Sequence, residues 1–272
     1  MSNSKLPISL VIITLNEASG IARAIRSASF CEDIVVLDSG SSDETVKIAR
    51  ELGARVVEET REAWRGFTAQ KQYATDLAKH DWVLSLDGDE ALSNELRLEI
   101  IALAASPTAL ARVDGYRSPR MTWNLGRWIR HGGWYPDWQL RFFHRGRAKW
   151  IGGQVHERVD AAKIESLKGA ILHYPFARHD EQVATNNRYS GLGAEALKAK
   201  GEKFRFHKLL VKPVSKFLET YVIKRGFLDG LAGFVISVGA SYSIFLKYAK
   251  LWEIEKFESG EWGGEPPAPD QE

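Results

Sequence analysis

The sequence is poor in cysteine, with one in 272 residues, and it holds only two methionines and nine prolines. A single thiol, Cys31, excludes an internal disulfide and a structural zinc site built on cysteines. No secretory pattern opens the chain. Residues 1–7 are short and polar, and the apolar run 8–15 is too short for an export segment with a cleavage site, so it reads as a buried strand. A cytoplasmic location is therefore expected. An excess of charge is missing as well: 37 basic against 35 acidic residues leave a formal +2, which gives no whole-chain argument for nucleic acid. Nor does a glycine-rich loop follow the first apolar run, where Thr14-Leu15-Asn16-Glu17 stands. That argues against a dinucleotide oxidoreductase, which needs Gly-X-Gly-X-X-Gly there, and against a nucleotidyltransferase, which wants a basic glycine loop.

What is present suits one α/β domain with a smaller appendage: 44% hydrophobic and 26% charged residues make an ordinary folded core. Apolar runs at 8–14, 34–37, 55–57 and 82–86 read as strands. Between them lie helical stripes carrying Ile21, Ala22, Ile25 and Ala28, then Val46, Ile48, Ala49 and Leu52, then residues 68–79. Ser41 and Glu44 have capping-box spacing for the second helix, Gly53 ends it, and a further helix is expected after Ser93. Alternating strands and helices imply right-handed crossovers and a mostly parallel sheet, in which ligands bind beyond the carboxyl ends of the strands. Asp38, Asp87 and Asp89 fall at those ends.

Asp87-Gly88-Asp89 is the sharpest feature. Two carboxylates one residue apart on a turn leaving a buried strand can share a hard divalent cation, and the glycine lets a ligand approach the backbone. The alternative is an acidic surface turn capping the next helix. Placement straight after an apolar strand, with Asp38 at a neighbouring strand end, favours the cation. Ser41, Ser42 and Asp43 suffice to cap the second helix, which leaves Asp38 free to accept from a base or ribose donor.

Ile-Thr-Leu-Asn-Glu at 13–17, Val-Leu-Asp-Ser-Gly-Ser-Ser-Asp at 36–43 and Leu-Asp-Gly-Asp-Glu at 86–90 resemble the family 2 glycosyltransferases, inverting enzymes with the Rossmann-like GT-A fold. The resemblance implies a UDP-sugar donor and a Mg²⁺ or Mn²⁺ ion. It places Thr14, Leu15 and Glu17 at the nucleotide, Asp38 at uracil, Lys71 as a nearby cation, and Asp87 and Asp89 at ribose and metal. Gln72 stands where that family commonly has Asn after the lysine. Further on, Gly133-Trp134-Tyr135-Pro136-Asp137-Trp138-Gln139-Leu140-Arg141 resembles the acceptor loop, Val155-His156-Glu157 the position of the base, and His173 a late metal-facing histidine. Together these are similar to the bacterial lipopolysaccharide core glucosyltransferases, which implies glucose transfer to a glycolipid and no nucleic-acid partner.

From the residues themselves, Glu157 is a reasonable base, since inverting transfer needs one carboxylate to take the acceptor proton, and Asp137 is the second candidate. An exposed strand-end glutamate is the bland reading, and for His173 a hydrogen-bonded structural histidine. Five of the nine tryptophans lie in 123–150. They form either a second core or stacking platforms for sugar, with Trp134 and Trp138 the best platforms.

The last third differs again. Residues 195–225 hold nine Lys or Arg against three Glu, and Leu210, Val214, Phe217, Leu218, Tyr221 and Val222 share one helical stripe. Residues 227–246 are apolar or small apart from Asp229. That is just long enough to span a bilayer, but Asp229 and three glycines weigh against it, so an interfacial or partly packed arrangement on an anionic membrane surface is expected. The divisions expected are 1–115 for the nucleotide sugar, 116–190 for the acceptor, 191–260 as a helical membrane-associating extension, and a disordered acidic tail at 261–272. The rival classes are a metal-dependent phosphatase and a non-catalytic membrane-surface adaptor. The phosphatase would carry Asp-X-Asp on its first strand, and the adaptor has no use for the acidic cluster.

Overall fold

The computed structural model describes residues 5–152 and 157–263. Its strands are β1 (Leu6–Thr14), β2 (Cys31–Asp38), β3 (Arg55–Glu58), β4 (Trp82–Asp87), β5 (Glu90–Leu92), β6 (Gly115–Asn124), β7 (Arg127–Ile129), β8 (Asp137–His144), β9 (Lys149–Ile151), β10 (Arg158–Asp160), β11 (Ile164–Ser166) and β12 (Ile171–His173). Its helices are α1 (Ile21–Ser27), α2 (Thr45–Glu51), α3 (Phe67–Asp76), α4 (Asn94–Ala104), α5 (Pro107–Arg112), α6 (His179–Ala199), α7 (Phe206–Phe217) and α8 (Gly230–Glu258).

The chain forms two compact units, residues 1–123 with 135–175 and residues 124–134 with 176–272, rather than breaking at 115 and 190. The first unit holds the main sheet, in the order β3-β2-β1-β4-β8-β6-β12-β5. β1 runs parallel to β2 and to β4, and β2 parallel to β3, as the strand–helix alternation requires. Beyond β4 the sheet is mixed. β8 lies antiparallel between β4 and β6, and β12 is parallel to β6 but antiparallel to β5. The parallel arrangement therefore describes the first half only, because the strands from β6 to β12 follow one another without an intervening helix among the described residues.

Both faces of β1 are buried, and its period of two sorts them. Ile8, Leu10 and Ile12 pack with Ile21 and Ile25 of α1 and Leu96 and Ile100 of α4. Val11 faces the other way, against Ala74 of α3, Phe143 and Trp150. Each such aliphatic side chain contributes about 1.5–3 kcal/mol by leaving water. Cys31 belongs to the first cluster, and burial pushes its thiol up to about 12, which makes it an inert packing residue.

One local expectation changes. α2 begins at Thr45, and the side chain that caps its start is Asp43, whose Oδ1 accepts from the Thr45 N–H at 3.0 Å, rather than Ser41 with Glu44. The polar side chains around this start also serve the neighbouring loop: Ser41 Oγ, Thr45 Oγ1 and Asp43 Oδ2 accept from the backbone N–H groups of Asn16, Glu17 and Ala18, at 2.8, 2.8 and 3.1 Å. They pin the strand-end loop against the start of α2, with Asn16 at φ +56°. Ser93 caps α4, accepting from the Leu96 N–H at 3.1 Å.

In the second unit α6, α7 and α8 pack together, with Ala194, Tyr248 and Leu251 at one centre. A π-helical turn, Leu218–Ile223, and a short 3-10 turn, Gly226–Asp229, join α7 to α8. Of the expected tail, residues 264–272 lie outside the described residues.

Candidate active site

Pairing of β1 with β2 and β4 sets Thr14 beside Asp38, and Ile13 beside Asp87, at neighbouring carboxyl ends. The turn after β4 turns directly into β5, so Asp87, Asp89 and Glu90 project from one short segment. Close backbone packing holds that turn. A Cβ on Gly20 would stand 2.5 Å from the Gly88 carbonyl oxygen, and one on Gly88 would stand 2.8 Å from Glu17 Cγ. The Gly20 contact is with backbone, which cannot rotate away. Gly20→Ala is therefore expected to shift the turn, costing about 1–3 kcal/mol of stability and lowering turnover of a bound donor. Urea unfolding and initial rates, measured on the same preparation, check this.

Asp87 points inward. Lys71 Nζ of α3 lies 2.9 Å from its Oδ1, and Arg141 Nη2 of β8 donates to Oδ2 at 2.8 Å. Burial opposes its charge, but Arg141 and then Lys71 outweigh burial and hold the carboxyl well below the usual carboxylate range. Glu90, fully buried, binds the same guanidinium at 3.2 Å, takes Arg120 Nη1 at 3.0 Å, and accepts from the Asp87 N–H at 3.1 Å. Arg120 continues to Asp137 at 2.7 Å, and Lys71 to Glu157 at 3.2 Å. The result is one buried network joining α3, β4, β5, β6 and β8. Both carboxylates expected to act as base sit at its ends, each next to one cation and each partly exposed.

Asp89 stands apart from this network. Its Oδ2 lies 3.2 Å from His173 Nε2, and His173 Nδ1 is 3.3 Å from Thr122 Oγ1. Glu17 is close enough to feel it. Burial first, then Asp89, Asp43 and Asp87, push the Glu17 carboxyl up to about 7. Negative potential is thus in excess on this side of the turn.

The expected residues therefore separate. The structure brings Glu17, Asp87, Asp89 and His173 together, with Lys71 and Glu157 on the far side of Asp87. Leu15 is exposed beside them, and Thr14 Oγ1 is sealed from solvent with no hydrogen-bond partner among the described residues. Asp38 is 1% exposed, and its carboxylate accepts from the Gly40 and Ser41 N–H groups and the Ser41 hydroxyl, which fix the turn after β2. Two residues differ from expectation. Arg141 is buried beneath Asp87 and Glu90 instead of facing an acceptor. Trp134 packs against Ile129, Ala232 and Ile236 in the second unit. Trp138, in the first unit, keeps an exposed ring, with the Arg117 guanidinium 4.9 Å over it. Val155 and His156 lie outside the described residues.

A divalent cation fits the Asp89 side of the turn. A carboxylate oxygen and an imidazole nitrogen already face each other there, amid uncompensated negative charge. No group of three or more such donors occurs among the described residues. The protein would supply two donors at this place and leave positions for phosphate oxygens and water. Asp87 is a poorer donor than expected, because two cations already hold it. Glu90 and Arg120 were missed from the sequence, although Glu90 follows the acidic turn directly.

An α/β sheet with an Asp-X-Asp turn at the carboxyl end of a central strand defines the GT-A class of transferases. Residues 9–167 match the model of glycosyl transferase family 2, and the chain belongs to that family. It is 30% identical to the lipopolysaccharide core biosynthesis glycosyltransferase LpsC of Rhizobium meliloti, over 92% of this chain and 93% of that protein. An uncharacterized glycosyltransferase of Rickettsia typhi, RT0209, is 34% identical over 91% and 87% of the two chains. A glucosyl-3-phosphoglycerate synthase of Mycobacterium tuberculosis, solved with Mn²⁺, UDP and glucosyl-3-phosphoglycerate, is similar at 29% identity over 42% of this chain and 43% of its own, with a TM-score of 0.34.

Proposed function

We propose that this glycosyltransferase moves a hexose, glucose in the first instance, from a UDP-sugar to the inner core of a lipopolysaccharide, inverting the anomeric centre. One observation carries the reading: the Asp87-Gly88-Asp89 turn lies between Glu17 and His173 on one side and, across Lys71, the partly exposed Glu157 on the other. The acceptor class is supported by the whole-length similarity to a lipopolysaccharide core enzyme.

In this reading the nucleotide lies along the loop of Thr14, Leu15 and Glu17. Asp89 and His173 would hold a Mg²⁺ or Mn²⁺ ion. When bound, it supplies a Lewis acid that offsets the charge of the departing diphosphate. Lys71 and Arg141 keep Asp87 ionised and fix the turn that carries Asp89. Glu157 takes the proton from the acceptor hydroxyl. The acceptor oxygen then forms its bond to the anomeric carbon from the face opposite the breaking bond to diphosphate. Asp137, held by Arg120 and by Gln139 Nε2 at 2.8 Å, is the other residue placed to take that proton.

Transfer from UDP-glucose to a purified deacylated lipopolysaccharide core acceptor, followed by mass spectrometry, tests both reaction and base. Glu157→Gln should lower kcat by about 10²–10⁴, the usual contribution of a positioned base, with donor KM little changed. Asp137→Asn should cost far less. The reverse order would move the base to Asp137, and product with a retained anomeric configuration would contradict the mechanism.

A further inference from the structure

We infer that the α7–α8 hairpin seats the enzyme on an anionic lipid bilayer, lying within one leaflet's interface without crossing it. The inference rests on the glycolipid-acceptor reading above only for its purpose; its observations belong to the second unit alone.

The first half of α8 turns mostly small residues inward, whereas its second half buries Tyr248 and Leu251. The positions near its start that turn toward protein are Ala232, Gly233, Ile236 and Ser237. A Cβ on Gly233 would come 1.8 Å from the Gly226 carbonyl oxygen, so only glycine permits this approach. The large apolar residues Leu231, Phe234, Val238 and Tyr242, spaced by three or four, form the exposed stripe. α7 repeats the pattern. Pro213 is buried, its carbonyl accepting from Ser241 Oγ at 2.8 Å, whereas Leu210 and Val214, with Leu218 of the π-helical turn that follows, face outward. At the connection, Ile223 is 74% exposed and Leu231 78%. A helix packed for water buries its large apolar side chains. Small residues between helices, with large ones outside, is the arrangement that suits lipid.

The charge around this surface chooses among occupants. Lys212 and Lys216 crowd Lys247, whose ammonium is lowered by burial and then by those two neighbours. Nine Lys or Arg against three Glu in residues 195–225 give the same sign. A basic rim around an apolar face complements anionic headgroups, while a second copy would bring the same positive rim against it.

Crossing is disfavoured by how α8 is fastened. With 29 residues it is about 43 Å long, and by length and composition it could cross a membrane. Its start, however, is tied to a polar strand end. The Asp229 carboxylate accepts from the Arg130 and His131 N–H groups at 3.0 and 2.8 Å, and Arg127 lies 3.7 Å away. Its far end is buried against α6, where Lys250 Nζ donates to the Asn187 carbonyl oxygen at 2.6 Å. Spanning would carry one of these polar anchors into or across hydrocarbon. Asp229, the charge that interrupts the apolar run, is thus an anchor at the edge of the surface.

Flotation of the full-length protein, added to preformed vesicles, tests the inference. It should float with phosphatidylcholine/phosphatidylglycerol vesicles, much less with phosphatidylcholine alone, and come off as salt rises. Ile223→Ser/Leu231→Ser should cut the bound fraction about tenfold or more. Lys212→Glu/Lys216→Glu should remove the preference for anionic vesicles. Both double variants should keep the wild-type unfolding midpoint and donor hydrolysis. Unchanged flotation of the variants would overturn the inference. So would a stable dimer that the Ile223/Leu231 variant dissociates, since a second copy would then cover the face. Wild-type protein that stays in membranes through alkaline carbonate extraction would overturn the interfacial placement in favour of a span. Normal flotation with no turnover of any UDP-sugar would instead fail the proposed function and leave this inference standing.

Discussion

Asp89→Ala should lower sugar transfer about a thousandfold, the scale lost when one group that stabilises a departing charge is removed. It should leave the fold unchanged, because Asp89 is partly exposed and contacts His173 rather than the buried network. Donor hydrolysis without acceptor should fall with transfer, since the defect lies on the donor side. Circular dichroism and the unfolding midpoint establish that the variant is folded, and UDP release gives the rate. Asp89→Asn, which keeps one donor oxygen but not the charge, should fall between wild type and alanine. Full activity in Asp89→Ala would remove the cation from the account, whatever became of the base.

The second large effect concerns stability. Arg141→Met should lower the unfolding free energy by about 3–5 kcal/mol, because removing one partner of a buried ion pair leaves its counter-charges behind. Glu90, fully buried, would keep only Arg120, and Asp87 only Lys71. Methionine keeps much of the side-chain volume, so cavity formation is a minor part of the loss. Glu90→Gln added to Arg141→Met should recover part of it, since the double variant removes a buried charge of each sign. The two costs would then fail to add. Urea unfolding followed by tryptophan fluorescence reads all three proteins, with Trp82 and Trp150 in the two faces of this core. A cost below about 1 kcal/mol for Arg141→Met would mean that the network is open to water and contributes as exposed ion pairs do.

The early sheet was legible because its signal is local. The apolar runs that became β1 to β4 needed no knowledge of distant residues, and strand ends follow from strands, so Asp38, Asp87 and Asp89 could be placed before any coordinates. What each carboxylate touches could not be read. Lys71 and Arg141 meet at Asp87 from α3 and β8, and nothing in the spacing of residues 71, 87 and 141 encodes that meeting. The surroundings of Asp38 escaped for a related reason. Asp43 does hold the start of α2, but Ser41, Asp43 and Thr45 also satisfy backbone groups of the loop at 16–18, and Asp38 organises their turn. The mixed half of the sheet escaped because short strands such as β5 and β12 have no period long enough to read. In α8 the pattern was visible but its sense was not. Composition gives an apolar helix, and only packing tells that near its start mostly small residues face protein while Leu231, Phe234, Val238 and Tyr242 face out.

The most direct measurement is UDP release from a panel of UDP-sugars by the wild-type enzyme without acceptor, first with Mn²⁺ or Mg²⁺ and then with EDTA. The account predicts slow hydrolysis of one UDP-sugar, UDP-glucose in the first instance, that stops on chelation and returns when the metal is restored. Hydrolysis that persists undiminished in EDTA would contradict the role given to Asp89 and His173, and failure to bind or turn over any UDP-sugar would contradict the nucleotide-sugar site itself.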